Sequence, residues 1–224
     1  MDGATIATRG PVLRWRRSIL PGLLAMPLFL LCVAIGLAAL GSAFGKLPLP
    51  PPLAVLEGRL PFVFRIHMVA GGVGMLLVPL ALALRHRPWV HRPLGRVTAA
   101  VLLIAAVAGL PSALLSEATG TARLGFAAQA ALCVAALASG WHAIRCRDAV
   151  RHARWMTRAA AILSGVIWLR LMVAAAVMLS LPFDAAYAAI AWSSWLLPLL
   201  GVLLVQRVRG PRPAWRSVRS DAAS

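Results

Sequence analysis

Five histidines and a small set of arginines carry whatever site chemistry this sequence holds. Imidazole can ligate a metal or a haem iron and exchanges protons near neutral pH, while guanidinium pairs with carboxylates, phosphates and propionates. His67, Gln129 and Arg170 fall inside long apolar stretches, where a polar or ionisable group costs insertion energy and needs a reason to be there. His86, His91, His142 and His152 stand among arginines between such stretches. Two of these segments share a layout, His91-Arg92-Pro93-Leu94-Gly95-Arg96 and His152-Ala153-Arg154-Trp155-Met156-Thr157-Arg158. Each puts a histidine about two helical turns before an apolar run and an arginine at its threshold. Paired helix N-termini with arginine suit an anion, so His91, Arg96, His152 and Arg158 form one candidate site for a lipid phosphate, a carboxylate or a haem propionate. Ordinary anchoring by basic residues is the plainer alternative.

Arg170 sits eleven residues from either end of its apolar block, about 16 Å by helical rise. No Asp or Glu lies inside any block to neutralise it. It therefore faces the bundle interior, a wet cavity or an anionic ligand, or else it bonds carbonyls freed at a helix kink. His67 and Gln129 are expected about 9 Å and 7.5 Å below the same surface, which places all three around one polar cavity. His67 also shares a helical face with Gly71 and Gly74, leaving room for a flat ligand or a neighbouring backbone. Arg65, only about 6 Å deep, reads as an anchor reaching for Glu57, Glu117 or Asp184.

The elements that hold these residues follow from composition. Hydrophobic residues make up 61% of the 224 and charged ones only 13%, with a mean hydropathy of +0.83, which excludes a soluble enzyme. The apolar residues come in six blocks of membrane-spanning length, at about residues 20–44, 61–84, 93–115, 124–144, 159–181 and 187–205. The fold class is all-α: a polytopic membrane bundle of six helices, forming one domain over residues 20–205. It is flanked by a basic N-terminus, 1–19, and a basic, disordered tail, 206–224.

Orientation follows from charge. Of 23 basic residues, 18 fall in four segments on one side, whereas the opposite loops hold only Lys46, Arg59 and Arg123. The positive-inside rule then places both termini in the cytoplasm, in the inner membrane of a bacterium, with anionic headgroups against the basic side. Trp15, Trp89, Trp141 and Trp155 fall near the same helix ends. The net charge of +17 is an imprint of topology and implies no nucleic acid. Residues 45–60, with Pro48 and Pro50-Pro51-Pro52, read as an extended polyproline-like strap. Gly41 with Gly45, and Ala70 with Gly74, read as small-residue packing pairs. Cys32, Cys133 and Cys146 have neither disulfide nor zinc spacing.

The ordered set His67 with Gly71, His91-Arg92 with Gly95-Arg96, His152 with Arg154-Trp155-Met156 and Arg158, and Leu169-Arg170 resembles the bacterial membrane family known as domain of unknown function 2306. The resemblance runs over about residues 65–170. It implies a multi-pass membrane fold and this residue set, and it names no reaction. Members often carry tyrosine just after each basic motif, where this chain has Val97-Thr98 and Ala159-Ala160.

Two classes of function fit. One is a membrane protein similar to transmembrane cytochromes b, with haem b held by His67 on one side and by His91, His142 or His152 on the other, and arginines on the propionates. In the outer layer only Gln129 stands where a second histidine would be. The other is a non-redox module that binds or transports a lipid or small molecule, or a partner in membrane assembly. Neither implies a classical enzyme, since there is no intramembrane carboxylate pair, no Gly-rich phosphate loop and no Ser-His-Asp set. The second and third blocks loosely echo the fourth and fifth in the same direction, as in a parallel repeat.

Overall fold

The computed structural model describes residues 11–208, with side chains from Met26 onward. The expectations for the side chains of Trp15 and of the N-terminal arginines, and for the tail beyond 208, lie outside what is described. Within residues 11–208 the chain is entirely helical: α1 Pro11–Ala43, α2 Pro51–Arg59, α3 Pro61–Ala83, α4 Pro88–Leu114, α5 Gly120–Arg145, α6 Ala149–Met178 and α7 Phe183–Val208. All but α2 contain spans long and apolar enough to cross a bilayer, with mean hydropathy from 1.5 to 2.2. The six spans coincide with the six blocks of the sequence.

Large apolar side chains such as Leu37, Val107, Val177 and Leu204 point outward, as lipid requires. Small ones are inside: Ala122, Ala136, Ala143, Ala159 and Ala191 are almost wholly buried. Lipid offers no hydrophobic drive for helices to associate, so close backbone approach and van der Waals contact must do it. The α1–α3 crossing is the clearest case. A Cβ on Gly36 or on Gly72 would lie 2.9 Å from the other's carbonyl oxygen. Antiparallel hairpins α3–α4 and α5–α6 pack side by side through α4 and α5, with α1 against α3 and α7 against α5 and α6. An apolar cluster of Leu102, Cys133, Ala136, Leu137, Ala159 and Ile162 joins α4, α5 and α6.

Four details differ from the sequence reading. The strap at 45–60 is extended only briefly, because Pro51 and Pro52 occupy the first turn of α2, where the missing N–H costs nothing and the fixed φ suits a helix. Leu56 then anchors α2 by burial. Gly45 is a turn residue at φ +68° with open space around it, so it contributes no packing pair with Gly41. The helices on the basic side start earlier than their apolar runs. Pro88 opens α4, and Asp148 caps α6 by accepting from the Arg151 amide at 2.8 Å. His91 and His152 thus lie within helices, not in loops. Finally, α6 ends at Met178 and α5 begins at Gly120. Arg170 is then about 12 Å, and Gln129 about 13 Å, from the α2 end of the bundle.

The α2 end is tied by ion pairs. Arg65 Nη2 meets Glu57 Oε1 at 3.0 Å, one of the partners expected for it, and Arg59 Nη2 meets Glu117 Oε1 at 2.9 Å. Both Arg59 and Glu117 are about half exposed, so a double-mutant cycle on Arg59→Gln and Glu117→Gln should give a coupling of only about 0.2 to 1 kcal/mol. A coupling several times larger, measured by thermal unfolding in detergent, would contradict this.

Candidate functional site

Three histidines are wired alike. His67 Nδ1 lies 2.8 Å from the Ala105 carbonyl, His91 Nδ1 3.1 Å from that of Ala81, and His152 Nδ1 2.8 Å from that of Gly140. In each pair the carbonyl belongs to the other helix of the same hairpin. A carbonyl oxygen only accepts, so Nδ1 carries a proton, and in the neutral ring Nε2 keeps a lone pair. No described residue bonds any of the three Nε2 atoms. None of the three Nε2 atoms is completely sealed from the surface. An imidazole steered by its Nδ1–H and open at Nε2 is the arrangement that metal-ligating histidines use.

The remaining histidines are different. His86 Nε2 accepts from Arg85 Nε at 3.1 Å, and His142 Nε2 lies 3.6 Å from Cys146 Sγ. Both are exposed and neither is anchored to a neighbouring helix.

The two hairpins repeat this wiring. In the first, His67 of α3 reaches across to Ala105 of α4; in the second, Gln129 Nε2 of α5 donates to the Ile162 carbonyl of α6 at 2.9 Å. A glycine lies just beyond each acceptor. A Cβ on Gly109 would sit 2.8 Å from His67 Nδ1, and one on Gly165 would sit 2.7 Å from Gln129 Nε2. At the basic end, His91 of α4 reaches back to α3 and His152 of α6 reaches back to α5. Each is the fourth residue of its helix. The α2-side layer thus holds His67 and Gln129 in equivalent places, and the basic-side layer holds His91 and His152. One turn beyond His67 and His91, on the same helical faces, Gly71 and Gly95 have nothing within 4 Å of where a Cβ would be.

Arg170 bonds its own helix, with Nη1 donating to the Val166 carbonyl at 3.0 Å. Tyr187 packs on Phe126 of α5, ring centroids 5.8 Å apart. Arg170 is exposed, and among the described residues no hydrogen bond joins it to His67. Gln129 is at similar depth but turns into the α5–α6 seam, toward Gly165 and Trp195. At the basic end no hydrogen bond joins His91 or Arg96 to His152 or Arg158 among the described residues. Arg158 stacks over Trp155, 4.4 Å to the ring centroid, and its Nε donates to Gln206 Oε1 at 2.9 Å. Gln206 also donates to the Arg154 carbonyl. Arg96 is exposed, and the α6 N-terminus already has the Asp148 carboxylate in the place an anion would take.

Gln206, Gly109, Gly165 and Tyr187 were not singled out by the sequence. Gln206 had a signal, being the one uncharged polar side chain close to the first arginine of the basic tail.

Among the described residues no three His, Cys, Asp or Glu side chains converge. A metal centre built from several protein ligands is not formed there. A porphyrin brings the equatorial ligands of its iron with it, so one or two imidazoles suffice.

Six apolar spans around buried small residues define a polytopic helical membrane protein. The chain belongs to the family described as predicted membrane protein (DUF2306), whose model matches residues 64–205. The match takes in the two hairpins and most of α7, beyond the 65–170 carried by the motifs. No curated protein and no solved structure matches the chain.

Proposed function

We propose that this protein binds b-type haem within the bundle and passes electrons in the membrane. The observation that carries this reading is the common wiring of His67, His91 and His152, each with Nδ1–H held by a helix carbonyl and Nε2 left open. His91 and His152 would hold one haem at the basic end. His67 would hold a second at the α2 end, where Gln129 takes the equivalent place in the other hairpin. The open space beside Gly71 and Gly95 suits a flat ring, and Arg170, within about a helical turn of His67 in depth, suits a propionate. When bound, haem supplies one-electron exchange. The protein orients imidazoles, excludes water with the aliphatic cluster around Leu102 and Ile162, and meets negative charge with arginine.

The uneven distribution of basic residues supports an orientation with both termini in the cytoplasm of a bacterium, the basic ends resting on anionic headgroups. The direct test is a reduced-minus-oxidised absorbance spectrum of the chain purified from haem-replete cells, with a pyridine haemochrome assay. Haem absorbance in fixed ratio to protein is expected. Its absence, both as purified and after adding hemin, overturns the reading and leaves a non-redox binding module.

A further inference from the structure

Two adjoining hollows at the α2 end share Arg65 and differ sharply in character. The first, about 500 Å³, lies between the end of α1, the 45–49 turn and α2, and is lined by Ser42, Lys46, Glu57 and Arg65 among others. The second, about 370 Å³, is a groove between α3 and α4 walled by Ile66, Val69, Val73, Val101 and Ile104, with no polar surface. Arg65 is four residues into α3, about 6 Å below the helix start, where headgroup meets hydrocarbon.

From this continuity we infer a binding site for one anionic phospholipid. The phosphate sits between Lys46 and Arg65, and an acyl chain descends the α3–α4 groove past Val69 to Val73, a run of about 12 Å. Charge complementarity selects the headgroup. Two cations face a single carboxylate, Glu57, which occupies one guanidinium nitrogen of Arg65 at 3.0 Å and leaves its other donors without a described partner. Lys46 is the only lysine in the chain, and Arg65 lies apart from the arginines of the basic ends. The aliphatic wall selects the chain, because hydrocarbon is the one material at that depth that needs no hydrogen bonds. The groove passes the depth of His67 but is lined by neither that histidine nor Gly71, and the site does not depend on haem.

The test is native mass spectrometry of the full chain titrated with dioleoyl-phosphatidylglycerol or dioleoyl-phosphatidylcholine. The glycerol lipid is expected to occupy one retained site and the choline lipid none. Lys46→Gln with Arg65→Gln should lower that occupancy about tenfold or more, each cation near the surface being worth several-fold. Glu57→Gln should raise it about threefold, by removing the competing charge. Val73→Trp, which fills the groove and spares both cations, should lower it as well. Arg123→Gln, at the same end of the bundle, should leave it unchanged. Haem content should be the same in all of these variants, so this idea and the haem reading fail separately. Equal retention of the two lipids, full retention in the double variant, a loss in Glu57→Gln, or a co-purifying quinone in place of phospholipid each overturns the site. If the double variant does not insert, Lys46→Gln and Glu57→Gln, with their opposite expected signs, decide the question.

Discussion

Alanine at His91 or at His152 is expected to abolish one haem signal completely, whereas alanine at His86 or His142 leaves the spectrum unchanged. The contrast rests on how each ring is held. His91 and His152 are fixed by a neighbouring helix through Nδ1 and present an open Nε2; in His86 and His142 the Nε2 is already close to a side chain on their own segment. The fold should survive the loss of either tie. A hydrogen bond between helices in lipid is worth about 0.6 kcal/mol on average, and the hairpins retain their small-residue packing. A lost spectrum with little change in thermal unfolding therefore reports ligation, not collapse. His67→Ala should remove the signal of the α2-side layer alone. Arg170→Leu should insert at least as well as the parent, since it removes a polar group from lipid depth, while weakening whatever anion His67's neighbourhood holds. Should His91→Ala and His152→Ala both keep the parent spectrum, the basic-end haem is overturned.

The spans were legible because length and apolarity alone decide what crosses a bilayer. Where a helix begins was less so. The apolar runs put the starts at 93 and 159, but backbone bonding can extend a helix into charged sequence when a residue such as Pro88 or Asp148 opens it. That difference moved His91 and His152 into regular helix; the end of α6 at Met178, short of the apolar run's end at 181, brought Arg170 nearer the α2 end. The candidate histidines could be picked out from the sequence, but their wiring could not. Nothing in the order of residues says that His67 bonds Ala105 or that Gln129 bonds Ile162, since the acceptors are backbone atoms present at every position. The usable trace is glycine. Gly109 and Gly165 each lie about one turn past the acceptor, where a Cβ would block the approach. Gln206 escaped for another reason: it sits at the seam between the last apolar block and the arginine-rich tail, and only the packing of α7 on α6 brings it to Arg158.

Two glycine substitutions of opposite character separate folding from binding. Gly165→Ala should destabilise the bundle by about 1 to 3 kcal/mol, the range for overpacking a tight contact. Its new methyl would lie 2.7 Å from Gln129 Nε2 and from Trp195 Cβ, and 3.1 Å from Trp195 Cα. Gln129 could swing away, but the α7 backbone cannot move without disturbing the buried Trp195, and α5, α6 and α7 all meet there. Gly95→Leu should do the reverse. Nothing lies within 4 Å of its Cβ, so the protein without ligand should be unharmed or gain about 0.5 to 1 kcal/mol from the better helix former. Yet Gly95 is one turn past His91 on the same face, and a ring ligated by His91 would occupy the space that the leucine fills. Thermal unfolding and haem content of the two variants should therefore move apart: Gly165→Ala lowers the melting temperature, and Gly95→Leu loses haem while holding or raising it. A Gly95→Leu protein with the parent's full haem content would mean that the open face beside His91 is lipid-filled, and that the ligand lies elsewhere or does not exist.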